Sequence, residues 1–279
     1  MDWRKLMFVL PNLFTVSSIF CGFYSITLSA GNPSPKNLYT AAIAIFFAMF
    51  FDGFDGRVAR LTKTQSDFGV ELDSLADVMS FGLAPALLAY KWALHRLGFI
   101  GIVLAFAFAT CGALRLARFN VMAHRRVPGS SKFFTGLPIP LAAGMIVAMV
   151  IAHYHASLDP FEPGSPGLIL VAVLVAFLAL LMVSNVRYRT FKDVRLSKRS
   201  ATVFFVVVLA GVVLATQMPP AFVLVAYFSA YLLLGLAESV VGLTRRATQP
   251  LAVPAVDDGA ATAVMDDEDE ESDEGEEYI

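Results

Sequence analysis

The chain has 279 residues, 57% of them apolar and only 16% charged, with a mean hydropathy of +0.67. That excludes an ordinary soluble domain and defines a polytopic membrane protein. The formal charge of −2 hides an asymmetry: 12 of the 23 acidic residues follow residue 256, so the rest of the chain sets 21 Lys and Arg against 11 acids, a balance suited to anionic headgroups and phosphorylated substrates.

Residues 1–10, MDWRKLMFVL, are basic and amphipathic, and Pro11 is expected to interrupt a helix there. Apolar spans are predicted at about 12–30, 38–58, 69–90, 98–118, 136–156, 167–186, 201–217 and 220–242, eight in all. The first is read as retained, because it is long for a signal peptide and Ser29-Ala30-Gly31 is a poor cleavage site. Gly31-Asn32-Pro33-Ser34-Pro35 is a turn cluster, and Pro219-Pro220 joins the last two spans. Cys21 and Cys111 both fall in apolar spans, have no CxxC or Cys/His partner and read as small buried hydrophobes. The fold class is therefore all-α, a transmembrane helical bundle.

Cationic side chains orient the bundle. With the N-terminus in the cytoplasm, 18 of the 21 Lys and Arg fall on the cytoplasmic side, leaving Lys36, Lys91 and Arg96 outside. Both termini are then cytoplasmic. Residues 1–246 form the membrane domain, and 247–279, nearly continuous acid from Asp266 to Glu277, form a disordered cytoplasmic tail.

Four carboxylates break the apolar pattern: Asp52, Asp55, Asp73 and Asp77, all at the cytoplasmic half of the second and third spans. Each costs about 2.5–3.5 kcal/mol at membrane depth, and together they repel one another. Cations would neutralise them, and hard oxygen ligands suit Mg²⁺ or Mn²⁺. Asp52 and Asp55 are three residues apart and share a helical face with Ala59; Gly69, Asp73 and Asp77 form a second stripe of four-residue steps. The short connector 61–66 makes the two helices antiparallel neighbours, so the acidic faces converge. Gly53, Gly56, Ala59 and Gly69 lack bulk and admit another helix or a ligand. Arg60 beside a dication cluster implies an intervening anion, and a phosphate or diphosphate fits its bidentate geometry. Asn12 and Thr15, at the mouth of the first span, read equally as caps of this cleft or of a helix. Glu71 points off the stripe, and His95, His153 and His155 lie toward the opposite side of the membrane.

Asp-Gly-x2-Ala-Arg-x8-Gly-x3-Asp-x3-Asp, from Asp55 to Asp77, resembles the signature of the CDP-alcohol phosphatidyltransferases, with Asp52 matching that family's first aspartate. The resemblance implies that Asp52, Asp55, Asp73 and Asp77 bind two divalent ions, Mg²⁺ or Mn²⁺, that hold the diphosphate of a CDP-linked lipid. It further implies Asp77 as the general base, Gly56, Ala59 and Gly69 around the nucleotide, and Arg60 on phosphate. A six-helix catalytic core followed by two C-terminal helices, a homodimer, and the bacterial inner membrane as location are also implied.

Four further segments are similar to bacterial-type phosphatidylserine synthases: Ser80 to Ala86, Leu114 to Asn120, Phe134 to Pro140, and Leu181 to Asn185 with Tyr188, Phe191 and Lys192. The implied reaction passes the phosphatidyl group of CDP-diacylglycerol to L-serine and releases CMP. Serine's carboxylate needs a cation, and Arg115 and Arg118, with Asn120 following, are the candidates; positive-inside anchoring explains the two arginines equally well. Arg125, Arg126 and Lys132 read as headgroup contacts, and the lone loop histidine His124 as a minor candidate base. Glycerol 3-phosphate, inositol phosphate or an archaeal ether-lipid substrate remain as alternatives within the class, and a cation transporter outside it. A transporter would spread its acids along a pore. No nucleic-acid partner is expected.

Overall fold

A computed structural model describes residues 3–62, 64, 66–124, 133–158, 161–184, 186–189, 222–233 and 235. The span expected at 201–217, the loop 125–132, Asn185, Phe191, Lys192 and the acidic tail lie outside the described residues.

The first helix, α1 (Trp3–Ala30), runs antiparallel to α2 (Pro35–Thr62) along most of its length. Pro11 lies inside α1 rather than ending it. Proline removes one backbone donor, and the helix here carries on through the gap. Ser66 opens α3 (Asp67–Asp77) as its N-cap, its hydroxyl accepting from the Gly69 amide at 3.1 Å. A π-helical turn, Val78–Leu83, leads directly into α4 (Ala84–Trp92). Together they form one apolar rod, Asp67–Trp92, that is long enough to span. The π turn is wider than an α turn and so shifts the facing of α4 against the acidic stripe of α3.

A 3₁₀ turn at Leu94–Leu97 precedes α5 (Phe99–His124), which packs on α7 (Pro166–Val183). α6 (Ile139–His155), between them in the chain, packs mainly on α2; it is apolar on every side and mostly buried, as such a helix must be. A short α8 (Phe222–Leu233) sets Phe228 against Gly144 of α6, where a Cβ would lie only 2.3 Å from the ring. Among the described residues five helices are long and apolar enough to cross a membrane; α6 and α8 are shorter apolar helices. The fold is helical throughout the described residues except for one antiparallel ribbon, β1 (Phe133–Thr135) with β2 (Arg187–Arg189), which ties the start of α6 to the end of α7. Gly136 follows β1 with φ of +84°, and a Cβ there would lie 2.3 Å from the Met182 carbonyl oxygen, so only glycine fits.

The core gathers where α2, α4, α5, α6 and α7 meet, around Ile45, Phe81, Leu88, Phe108, Ile146 and Leu178. Its contact with α1 is close: a Cβ on Gly22 would lie 2.8 Å from the Ser80 Cα, and the Ser80 hydroxyl donates to the Ser18 carbonyl at 3.0 Å. That packing fixes α1 beside the π turn, one turn beyond the last aspartate of α3.

Candidate active site

The end of α2 and the start of α3 are joined by four residues, too few to separate the helices. Asp52, Asp55 and Asp73 consequently each offer a carboxylate oxygen within 4.8 Å of the other two. Asp55 is buried at 6% exposure. Asp77, one turn deeper on α3, lies within electrostatic reach of Asp52, Asp73 and Arg115. The Oδ1 atoms of Asp73 and Asp77 are buried without a hydrogen-bond partner among the described residues. These two orphaned oxygens on α3, beside the carboxylates that Asp52 and Asp55 present from α2, fit a hard dication, so this set could hold a metal ion.

Beside the acids opens a cleft of about 430 Å³, walled by α1, α2 and α3, with Asp55, Gly56, Ala59, Gly69 and Asp73 on its surface. A Cβ on Gly53 or Gly56 would meet nothing within 4 Å. Among the described residues nothing fills the room beside these glycines, and Gly56 lines the cleft. Gly69 differs: a Cβ there would sit 3.2 Å from Ser66 Oγ and 3.5 Å from Asn12 Oδ1. Arg60 is exposed, and its Nε donates to the carbonyl of Gly56, a residue that lines the cleft, at 2.8 Å.

The three residues expected to meet serine, all near the end of α5, make different contacts. Arg115 is buried at 7% exposure, its Nε has no hydrogen-bond partner among the described residues, and its charge faces Asp77. Arg118 instead donates from both terminal nitrogens, at 3.2 Å each, to the carbonyls of Val183 and Ser184. It thereby satisfies acceptors left open at the end of α7. Asn120 Nδ2 donates to the Ser74 hydroxyl at 2.9 Å and ties α5 to α3.

Thr15 was readable as a helix cap, but it lies well inside α1. Its hydroxyl stands 3.0 Å from Asp55 Oδ2, across 40 residues of sequence. Thr64, Ser66 and Asp67 also wall the cleft. The available signal for them was their place in the connector that the acidic motif spans. Three histidines lie far from the acids: His153 stacks on Phe161 beside Trp92, His155 lies by Tyr39, and His95 by Tyr90.

Fold and site define a membrane-embedded enzyme whose carboxylate centre lies where two spanning helices meet at a cleft. The model of the CDP-alcohol phosphatidyltransferase family matches residues 8–180, and the chain belongs to that family. It is similar to the CDP-diacylglycerol–serine O-phosphatidyltransferase of Helicobacter pylori, 42% identical over 191 residues that cover 68% of this chain and 75% of that protein. The Bacillus subtilis protein of the same name is 37% identical over 183 residues, 66% of this chain and 91% of its own. An archaetidylserine synthase of Methanothermobacter thermautotrophicus is 38% identical over 181 residues, 64% of this chain and 69% of its own.

Proposed function

We propose that this protein transfers the phosphatidyl group of CDP-diacylglycerol to the hydroxyl of L-serine, giving phosphatidylserine and CMP. The observation that carries the reading is the convergence of Asp52, Asp55 and Asp73 from α2 and α3 at the wall of an open cleft. The names of the relatives support serine as acceptor.

Asp52, Asp55, Asp73 and Asp77 would hold Mg²⁺ or Mn²⁺, two ions in the family's pattern, which when bound neutralise diphosphate charge as the bond to CMP breaks. Gly56, Ala59 and Gly69 leave room for the nucleotide, and Arg60 meets phosphate at the edge of the cleft. Asp77 takes the proton of the serine hydroxyl, whose oxygen attacks the lipid-proximal phosphorus; CMP departs with the bonding electrons. Arg115 opposes the serine carboxylate, because it is the buried cation that faces Asp77. Arg118 and Asn120 hold the helices that frame that pocket.

The topology proposed with this reaction has eight spans, with both termini and the active site cytoplasmic, in a bacterial inner membrane. The eighteen-to-three distribution of cations supports it. A homodimer, a membrane domain at 1–246 and a cytoplasmic tail at 247–279 complete the reading.

The test is an assay of purified protein with CDP-diacylglycerol and a panel of alcohols, with and without Mn²⁺ or Mg²⁺. Release of CMP with serine alone, and only with dication, is expected. Release with glycerol 3-phosphate or inositol phosphate in place of serine would overturn the acceptor.

A further inference from the structure

We infer that Thr15 is a positioning residue that sets the carboxylate of Asp55 for metal binding. The inference rests on the proposed metal site and adds to it a helix that supplies no carboxylate.

Asp55 is held from two sides. Its Oδ1 accepts the backbone amide of Gly56, and its Oδ2 accepts the Thr15 hydroxyl at 3.0 Å. An ionised carboxylate has no proton to give, so the hydroxyl must donate. The competing acceptor, the Pro11 carbonyl, is farther away at 3.3 Å and neutral, and charge-assisted bonds are the stronger. Thr15 is itself buried at 4% exposure, where it lines the cleft together with Asp55. Each carboxylate oxygen keeps a second acceptor position, and Asp55 still presents an oxygen within 4.8 Å of those of Asp52 and Asp73.

Asp73 differs, because its Oδ1 is buried with no donor among the described residues. Asp55 is thus a candidate ligand with a protein donor on each oxygen, whereas Asp73 Oδ1 has none among the described residues. Asn12, three residues before Thr15 on α1, approaches Gly69 of α3. One face of α1 therefore reaches both helices that carry the acids. Partners of this kind orient a ligand and commonly change metal affinity by about 10–100-fold when removed.

The test uses the full-length protein in detergent, without lipid substrate, titrated with Mn²⁺ while the electron paramagnetic resonance signal of free Mn²⁺ is followed. T15V keeps the side-chain shape and loses the hydroxyl; T15S keeps the hydroxyl. T15V is expected to raise the Mn²⁺ dissociation constant about tenfold, with T15S within about twofold of the parent and the melting temperature of T15S unchanged. T15A supplies the same comparison should T15V not fold. Parent-like Mn²⁺ affinity in T15V or T15A, or equal weakening in T15S, would overturn the inference. D55N separates this from failure of the site itself: if D55N binds Mn²⁺ as the parent does, the metal reading falls and the role of Thr15 with it.

Discussion

The two halves of α2 use small residues in opposite ways. From Leu38 to Ala48 the helix is packed, with Ala41, Ala42, Ile45 and Ala48 fully buried where α4 and α6 close upon it. From Asp52 onward the same helix carries Gly53 and Gly56, yet a Cβ on either would touch nothing. Among the described residues, small side chains draw helices together in the first half, and in the second Gly56 leaves room on the cleft. A small residue in a membrane helix is therefore a mark of packing only where a neighbour fills the room it leaves. What separates the halves is charge: an apolar helix face cannot close on Asp52 and Asp55 without leaving their oxygens unsatisfied.

The largest effect should come from the acids that line the open half. D73N is expected to lower CMP release by about 10³-fold or more, since it removes a ligand from a centre that supplies several kcal/mol of charge stabilisation. Melting temperature should hold or rise, because a buried carboxylate is neutralised. D77N should lower turnover by about 10²–10³-fold, within the range of general-base help, and affect CDP-lipid affinity less than turnover. Near-normal turnover in D77N would remove Asp77 as the base.

The packed half should answer differently. A42L, placed at a fully buried position, is expected to destabilise the fold by about 1–3 kcal/mol through overpacking, read as a lower melting temperature. G56A should leave melting unchanged or raise it, because alanine is the better helix former. In the same variant the KM for CDP-lipid should rise about tenfold, as one methyl group intrudes on the pocket. If G56A melts early and keeps its KM, the two halves of α2 do not differ as described. The smallest effect is expected from R60A, a several-fold rise in KM for the lipid substrate with turnover retained; an unchanged KM would remove Arg60 from phosphate contact.

The acidic stripes were legible in the sequence because helical period is rigid. Once Asp52 and Asp55, or Asp73 and Asp77, lie on helices, their spacing decides their facing, and the connector 61–66 leaves α2 and α3 no choice but to adjoin. The Thr15 contact was not legible. α1 is apolar nearly all round, so its pattern does not say which face meets α2. That facing is set by the close approach of Gly22 to Ser80, a contact between residues 58 positions apart in the chain. The π turn at Val78–Leu83 and the ribbon at 133–135 and 187–189 were hidden for the same reason. Both arise from long-range packing rather than local preference. Arg118 and Asn120 show the limit from the other direction. Their positions beside the site were legible, but their hydrogen bonds to Val183, Ser184 and Ser74 depend on neighbours that no spacing rule supplies.

The most direct measurement is anomalous diffraction from crystals of the protein grown with Mn²⁺. Density for manganese bridging the carboxylates of Asp52 and Asp55 on α2 and Asp73 on α3 is the expected result. Manganese found elsewhere, or those three side chains turned from one another with no ion between them, would contradict a shared dication site built by two adjoining membrane helices.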